Sequence, residues 1–252
     1  MSKKNLDVSK RRRNDEYYTK YDDVVKGLQI YLPHIKGKTI LCNCDTEQSN
    51  FVKYLREIGC KVITYHEYDG TDFYTNCDYD ICITNPPFSK IKQFYNAVKH
   101  KPFIMLCNFN HMCYKDLFVD FIEHRLNIGY SVQNMVFDTK DGDKCVSMCM
   151  FVSNLPIKEH NPPLELLEQD ISNYHLLDNS NIVNIDKTKD IPLKYNGIMA
   201  IPVSYIVKHN TNQFNIIGIA KHGSDHKYDL LKPVVNGKEK FTRLLIERVN
   251  NK

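Results

Sequence analysis

The sequence predicts an α/β fold with a mostly parallel sheet, helices on both faces and an antiparallel edge. Short apolar runs alternate with amphipathic stretches through the first half of the chain, which is the pattern of strands joined by crossover helices. Gly59 stands between one predicted helix and the strand that follows, as expected at a helix C-terminus inside a right-handed βαβ crossover. An Asp141-Gly142 turn joins the last two apolar runs, so we expect the sheet to end in a hairpin.

The predicted elements of this sheet follow one another at short intervals. The predicted strands are residues 38–42, 61–65, 81–83 and 103–107, and then segments near 134–138 and 145–152. The predicted helices are residues 22–32, 49–58, 91–99 and 114–124. The strand runs are short and continuously apolar, whereas each helical stretch repeats its apolar residues at the spacing of one helix face.

The character of the sequence changes after Pro156. Residues 157–197 are rich in Asn, Asp and Lys and show little periodicity. We therefore expect a first domain at residues 1–156 and a smaller C-terminal region at residues 157–252. Short β-like segments follow in the second region, at residues 197–203, 214–219, 233–238 and 241–246. An Asn236-Gly237 pair in the third segment predicts a tight hairpin turn.

The composition indicates an ordinary intracellular protein. With 252 residues, 42% of them hydrophobic, the chain can form one large domain with a smaller companion. No apolar run approaches the roughly 20 residues of a membrane span, and the N-terminus lacks the apolar core of a signal peptide. We therefore expect a cytoplasmic protein without a membrane partner. Nine cysteines without a Cys-x-x-Cys pair predict reduced core thiols rather than a disulfide framework or a metal site.

The charge distribution permits a polyanionic partner without requiring one. The net charge is +4, which is a mild excess. The basic run Lys10–Arg13 predicts a solvated tail, with an arm that contacts phosphate as the alternative. The C-terminal region is locally basic from Lys208 onwards, and an ordinary solvated surface is the alternative there.

The strongest candidate for chemistry is the corner after the strand at residues 81–83, where the chain continues Asn85, Pro86, Pro87 and Phe88. Tandem prolines cannot continue a strand ladder, so the chain leaves the sheet at a rigid corner. The side-chain oxygen of Asn85 and the carbonyl of Pro86 can both accept hydrogen bonds from one NH2 group. Phe88 can stack on the ring that carries this group.

This corner suits methylation of an exocyclic or amide nitrogen on a planar group. The lone pair of such a nitrogen is delocalised, so it is a poor nucleophile. Two acceptors at tetrahedral angles favour rehybridisation and direct the lone pair at an incoming methyl group. No general base is needed beside them. A proline-rich turn without a function is the alternative, and the position between an apolar strand and a helix favours the catalytic interpretation.

The corner after the first predicted strand is expected to hold a cofactor, because ligands bind at the carboxyl ends of strands in such sheets. Its sequence is Cys42-Asn43-Cys44-Asp45, which contains no glycine, so we expect a cofactor without a pyrophosphate. Glu67 closes the second strand, where an acid commonly holds ribose hydroxyls; an exposed loop acid is the alternative. Asp72 and Phe73 could pair one hydrogen-bond acceptor with one stacking ring.

Assembled, these motifs resemble the adenine-specific DNA methyltransferases of the EcoRI modification-enzyme type. The resemblance covers nearly the whole chain, and the Cys-Asn-Cys-Asp corner is far more particular to it than Asn-Pro-Pro-Phe, which many amino-methyltransferases share. Tyr18 stands where the family pattern has a phenylalanine. The residues that carry the resemblance are 15–19, 42–45, 49–51, 72–73, 84–89, 114–115, 151–155, 201–204 and 210–218.

The resemblance implies a Rossmann-like class I methyltransferase fold that uses S-adenosyl-L-methionine, with target recognition in the C-terminal region. Asp72 would accept a hydrogen bond from the adenine amino group of the cofactor while Phe73 stacks on its ring. Residues 85–88 would hold the flipped target adenine. The residues implied to line the cofactor pocket are Tyr17, Tyr18, Thr19, Asn43, Cys44 and Asp45.

The function expected from these features is site-specific methylation of the N6 amine of adenine in double-stranded DNA. The base has to be extruded, since its amine is paired and stacked in the duplex. The alternatives are methylation of RNA adenine or of a protein glutamine amide, or a catalytically silent nucleic-acid-binding relative. Duplex DNA is the expected partner of a monomer, which would belong to a system with a cognate restriction endonuclease but make no direct contact with it.

Overall fold

The structure of the protein is a computed structural model, which describes residues 18–65, 75–139, 142–157, 161–222 and 227–249. The chain folds into two compact units. The first is formed by Met1–His111 with Arg125–Ile157, and the second by Met112–His124 with Lys158–Lys252. Cofactor binding by residues 1–156 and target recognition by residues 157–252 remain predictions.

A seven-stranded sheet in the order β1-β6-β7-β5-β4-β2-β3 forms the first unit. Its strands are β1 (Tyr18–Thr19), β2 (Thr39–Cys42), β3 (Lys61–Thr64), β4 (Ile81–Thr84), β5 (Phe103–Asn108), β6 (Asn127–Asp138) and β7 (Lys144–Ser153). The four strands β3, β2, β4 and β5 run parallel to one another, whereas β7 pairs antiparallel with β5, β6 with β7, and β1 with β6. The predicted parallel sheet with an antiparallel edge hairpin is confirmed.

Four helices accompany this sheet among the described residues of the first unit. They are α1 (Tyr21–Gln29), α2 (Leu32–Ile35), α3 (Asn50–Glu57) and α4 (Ile91–Val98). The Ser49 side chain caps α3 by accepting a hydrogen bond from the main-chain amide of Phe51. Beyond its C-terminal end, Gly59 adopts a φ of 86°, a conformation that favours glycine. The chain therefore turns directly into β3, as predicted.

The core of the first unit lies where α1 and α3 pack on the sheet. Val24, Leu28, Phe51 and Phe151 are completely or almost completely buried there. Gly27 faces the ring of Phe151 so closely that a Cβ atom would lie 2.1 Å from it. A glycine inside a helix is unfavourable by itself, so its place in α1 reflects the close approach of this helix to the ring.

Two predicted boundaries in the first unit were wrong. The helix predicted at residues 22–32 is two helices. Pro33 lies in the first turn of α2 and has no amide hydrogen to donate to the carbonyl four residues earlier, at the end of α1, so one continuous helix cannot pass through it. The strand predicted near residues 134–138 begins already at Asn127. Its register shifts between Ile128 and Ser131, and such a bulge interrupts the alternation from which a strand is recognised in a sequence.

The second unit contains a five-stranded sheet in the order β11-β10-β14-β9-β8 and the separate pair β12-β13. Its strands are β8 (Val183–Asn184), β9 (Met199–Pro202), β10 (Phe214–Ala220), β11 (Asp229–Leu231), β12 (Val234–Val235), β13 (Lys238–Glu239) and β14 (Arg243–Arg248), and its helix is α5 (Lys115–Ile122). Asn236 and Gly237 have φ values of 51° and 71°, which confirms the predicted tight turn. The segment predicted at 233–238 is therefore a hairpin rather than one strand.

Two negative findings concern the described residues. No helix in this part of the chain is long and apolar enough to cross a membrane. The same residues contain no group of three or more His, Cys, Asp or Glu side chains that could hold a metal ion. The nine cysteines are free, and burial raises the pKa of the Cys42, Cys82 and Cys107 thiols.

Candidate active site

Three parallel strands of the first unit end side by side at one edge of its sheet. β2 pairs with β4, and β4 pairs with β5, all in the same direction. Their carboxyl ends therefore lead into three neighbouring corners. These corners are Asn43-Cys44-Asp45 after β2, residues 85–88 after β4, and the segment from Phe109 to His111 after β5. The sheet thus brings the predicted cofactor corner and the predicted catalytic corner together.

Asp45 is a buried acid at the first corner. Its side chain accepts a hydrogen bond from the Ser49 hydroxyl, with 2.5 Å between Oγ and Oδ1. The other oxygen, Oδ2, is buried and has no hydrogen-bond partner among the described residues. Burial raises the pKa of the Asp45 carboxyl to about 6, against the hydrogen bonds of Ser49 and of the Asn85 main chain, which lower the pKa. An acid held this way has an unsatisfied acceptor for a cationic or NH-bearing ligand.

The first and second corners are joined by direct hydrogen bonds. The Cys44 Sγ and Thr84 Oγ1 atoms are 2.7 Å apart, and Thr84 is completely buried as the last residue of β4. Burial and the nearby Asp45 carboxyl raise the pKa of the Cys44 thiol well above its ordinary value, so Cys44 is a neutral hydrogen-bonding group rather than a nucleophile. The main-chain amide of Asn85 also bonds to the Asp45 carboxylate. The position of Asn85 is thereby tied to the cofactor corner.

The second corner presents a polar group and an aromatic ring on a rigid backbone. Pro86 is buried, whereas Asn85, Pro87 and Phe88 are half-buried. The Pro87 carbonyl accepts from the Lys90 amide at 2.8 Å, which closes the turn that leads into α4. Tandem prolines fix two successive φ angles. The corner is therefore held in one shape before any ligand binds.

Two other aromatic rings hold the ring of Phe88. Its centroid lies 5.5 Å from that of His111 and 6.0 Å from that of Phe137, both in edge-on arrangements. Such contacts are favourable beyond the area they bury. His111 follows β5, and Phe137 lies near the end of β6. The orientation of Phe88 therefore depends on its own corner, on the segment after β5 and on the end of β6.

His111 is a site residue that the sequence did not identify. Its Nδ1 atom accepts a hydrogen bond from the main-chain amide of Asn108 at 3.0 Å, so the ring proton is carried by Nε2 when the imidazole is neutral. The Asn108 side chain in turn accepts from the Asn110 amide. The polar run from Asn108 to His111 was noticeable after an apolar strand, but nothing in the sequence connected it with Phe88.

Tyr18 and Thr19 form β1, which pairs with the end of β6. Thr19 lies opposite Phe137 in this pairing, and its carbonyl accepts a hydrogen bond from the Asn50 side chain at 2.9 Å. The Thr19 Oγ1 atom is buried without a hydrogen-bond partner among the described residues. Tyr18 is 46% exposed. Thr19 thus belongs to the neighbourhood of both corners, through Asn50 at the start of α3 and through Phe137.

Four predicted cofactor residues lie outside the described residues. They are Tyr17, Glu67, Asp72 and Phe73. The places of Tyr17 in the cofactor pocket, of Glu67 at the ribose, and of Asp72 and Phe73 at the adenine stay predictions.

The motif at residues 210–218 has a visible structural role inside the second unit. The Gln213 side chain accepts from the Leu164 amide at 2.6 Å and donates to the Leu164 carbonyl at 3.1 Å. Asn210 donates to the carbonyl of Asn161 and accepts from the Asn212 amide at 2.9 Å. The side-chain amides of Gln213 and Asn210 thus make the hydrogen bonds that a neighbouring strand would otherwise offer to the main chain at 161–164. We therefore assign both side chains to folding rather than to contacts with bases.

The sheet order and the helices that accompany it are those expected of a Rossmann-like methyltransferase fold. Comparison with known proteins then identifies the family. The chain matches the family described as adenine-specific methyltransferase EcoRI over residues 5–76 and 74–249, and it belongs to that family. The chain is accordingly an adenine-specific DNA methyltransferase, which confirms the expected family and reaction class.

Individual relatives are similar over almost their whole lengths. Type II methyltransferase M.EcoRI of Escherichia coli is 28% identical in an alignment that covers 96% of this chain and 95% of that protein. Type II methyltransferase M.MgeORF184P of Mycoplasma genitalium is 24% identical, covering 95% of this chain and 97% of that protein. Type II methyltransferase M.MpnI of Mycoplasma pneumoniae is 24% identical, covering 96% and 98%.

Proposed function

We propose that the chain transfers a methyl group from S-adenosyl-L-methionine to the N6 amine of an adenine extruded from duplex DNA. The observation that carries the proposal is the direct connection between the two corners. The Asn85 amide bonds to the buried carboxylate of Asp45, and the Cys44 thiol lies 2.7 Å from the Thr84 hydroxyl. A methyl donor bound at one corner and an amine bound at the other would therefore be neighbours.

The groups present at the first corner fit S-adenosyl-L-methionine. Its amino acid part carries an ammonium group, and the buried Oδ2 atom of Asp45 is an acceptor without a partner among the described residues. Thr19 offers a second buried oxygen of the same kind. The corner has no glycine, in keeping with a ligand that has no pyrophosphate. When bound, this cofactor supplies an electrophilic methyl group on a sulfonium.

At the second corner, Asn85 and Pro86 would prepare the amine. The Asn85 side-chain oxygen and the Pro86 carbonyl accept the two N–H bonds, so the nitrogen lone pair loses conjugation with the ring and points towards the methyl group. This is preorganised electrostatic stabilisation combined with alignment of the reacting atoms. Phe88, held by His111 and Phe137, would stack on the adenine ring. Pro87 fixes the backbone between them.

Proton transfer is left to solvent in this mechanism. The nitrogen gains a methyl group and becomes cationic, and its extra proton passes to water after transfer. None of the groups described at the second corner is a carboxylate or a base that needs to accept it. The adenine has to leave the duplex because its amine is paired and its ring stacked.

The test is methyl transfer from labelled S-adenosyl-L-methionine to unmodified duplex DNA by wild type and by Asn85→Ala. We expect label in N6-methyladenine with the wild type. The variant should lose roughly 10²-fold or more in rate, the scale for removal of one preorganised hydrogen-bonding group, and it should still bind the cofactor. Asn134→Ala is the matched control, since Asn134 is an exposed asparagine of β6 in the same unit.

Two results would contradict the proposal. An Asn85→Ala enzyme as active as the Asn134→Ala enzyme would remove Asn85 from the mechanism. If the wild type binds the cofactor normally but labels no duplex, adenine in duplex DNA is not the methyl acceptor. The same assay would then be repeated with RNA and with glutamine peptides.

A further inference from the structure

The most exposed large apolar side chain described in the second unit is Phe241, whose surface is 92% accessible. It lies between β13 and β14, and the sequence predicted it inside a strand, where it would have been half-buried. A single exposed apolar residue is common on protein surfaces. What distinguishes Phe241 is the rigidity of the backbone that carries it and the charge of the residues around it.

The backbone at Phe241 is fixed by a buried arginine. Arg243 is 7% exposed, and its guanidinium donates to the Asn184 side chain and to Asp186, both at 3.2 Å. A third donor of the same group lies 3.5 Å from the Phe241 carbonyl. On the other side, the Lys240 amide donates to the Pro233 carbonyl at 2.7 Å. The ring of Phe241 is therefore held out into solvent from a loop that is anchored at both ends.

The charges around this loop favour an anionic partner. Lys187 and Lys238 are exposed. The Asp186 carboxylate is already engaged, 3.2 Å from Arg243 and 3.7 Å from Lys240. Glu239 lies 3.8 Å from a ring nitrogen of His222. A neutral His222 leaves the charge of Glu239 in place, but the cations of this surface are still in excess. Four cations, Lys187, Lys238, Lys240 and Arg243, stand against the two acids Asp186 and Glu239, and an excess of positive charge around an exposed ring favours a nucleic acid backbone.

We propose that Phe241 is a DNA wedge: its ring inserts against the bases of the target duplex while Lys187 and Lys238 contact phosphates. This inference rests on duplex DNA as the substrate proposed above. Apolar side chains that enter the base stack unstack one step and distort the helix, which would assist extrusion of a base. Because the backbone that carries the ring is already anchored, the loop loses little conformational freedom when the ring inserts.

The sharpest test uses the absence of tryptophan from the chain. In Phe241→Trp the new side chain is the single indole of the protein, and stacking on bases should quench its fluorescence when duplex DNA is added. Leu193→Trp is the matched control, because Leu193 is also exposed, at 44%, and lies in the same unit. We expect saturable quenching at position 241 and none at position 193.

Binding measurements separate a stacking contact from an ionic one. Phe241→Ala should weaken duplex binding about 5- to 150-fold, which corresponds to one base–aromatic stack, without changing the slope of log K against log salt. Lys238→Ala should instead lower that slope by about 0.9, as loss of one phosphate contact does. Because Phe241 makes almost no intramolecular surface contact, its removal should leave thermal stability unchanged.

The wedge and the methylation reaction can each fail without the other. If the wild type methylates duplex DNA while Phe241→Trp is not quenched, or Phe241→Ala binds as tightly as wild type, the wedge is overturned and the methylation proposal stands. Quenching without any methylation would support the DNA contact and contradict the methylation. A change of Phe241→Trp fluorescence with protein concentration in the absence of DNA would mean that a second copy of the chain covers the ring, which also overturns the wedge.

Discussion

Replacing Asp45 by asparagine should stabilise the protein while it weakens cofactor binding. The carboxylate is buried, and its pKa is raised to about 6 from the ordinary value of 3.8 because burial disfavours the charged form. Above pH 6 the folded protein has to hold this charge without a partner for Oδ2. An asparagine has the same shape, can still accept from Ser49, and carries no charge. The substitution therefore removes an electrostatic cost that a cationic ligand would otherwise offset.

The size of this effect follows from the pKa difference. A raised pKa in the folded state means that stability is lost as the pH rises from the unfolded pKa to the folded pKa. The difference between 3.8 and about 6 corresponds to about 3 kcal/mol at pH 8. By the same relation the effect falls to about 1.5 kcal/mol at pH 5 and about 0.5 kcal/mol at pH 4, since the carboxyl is then protonated in the folded state and increasingly in the unfolded state as well.

The assay is urea unfolding of wild type and Asp45→Asn at pH 8, 5 and 4 without cofactor, with titration calorimetry of S-adenosyl-L-methionine at pH 8. Affinity should fall by roughly 10- to 150-fold, the scale of one hydrogen bond to a charged group. Asp78→Asn is the control, since Asp78 is exposed and the same change there should alter neither quantity. A variant that is less stable than wild type at pH 8, or that binds the cofactor normally, would refute the reasoning.

Three further predictions concern other residues of the first unit. Thr84→Val should cost about 1–2 kcal/mol in denaturant unfolding, because it leaves the half-buried thiol of Cys44 without its partner. Gly27→Ala should cost about 1–3 kcal/mol in the same measurement, since the new methyl would lie 2.1 Å from the buried ring of Phe151; unchanged stability would show that the ring can move. His111→Ala should slow single-turnover methylation up to about 10-fold through loss of the contact that orients Phe88, with the cofactor Kd unchanged.

The parallel half of the sheet was predictable because three of its four strands are buried apolar runs. The predicted runs at 38–42, 61–65, 81–83 and 103–107 match β2, β3, β4 and β5 within one residue at each end. Buried parallel strands are covered on both faces, so their positions are mostly apolar and the run stands out in the sequence. The edge strand β3 has no buried residue, and its position directly after Gly59 indicated it instead. Gly59 marked the C-terminal end of α3, and this signal is also local.

The antiparallel edge was harder to predict because its strands are partly exposed. β6 is half-buried from residue 127 to residue 132, and its register shifts after Ile128; an alternation of buried and more exposed positions is present only towards its end, at residues 134–138. β1 contains two residues and exists through its pairing with the end of β6. A strand this short has no pattern of its own, so its formation depends on a partner more than a hundred residues away.

The members of the candidate site were predictable, but the contacts between them were not. Residues 43–45 and 85–88 could be identified by their position after buried strands. One such contact is the hydrogen bond between Cys44 and Thr84. Another is the packing of the Phe88 ring against His111 and Phe137. These contacts depend on which strands become neighbours and on the rotamers of the side chains. Both are set by packing across the sheet rather than by local sequence.

The unsatisfied acid at the first corner and the acceptors at the second form one electrostatic system. The Asn85 main-chain amide donates to the Asp45 carboxylate, so the side-chain oxygen of the same residue can be directed away from that acid and towards an incoming amine. A cation bound at Asp45 would stabilise the ionised carboxylate, and the ionised form is the better acceptor for the Asn85 amide. Cofactor binding would then hold Asn85 more firmly. A glycine-rich corner, which binds through its backbone, offers no side chain for this connection.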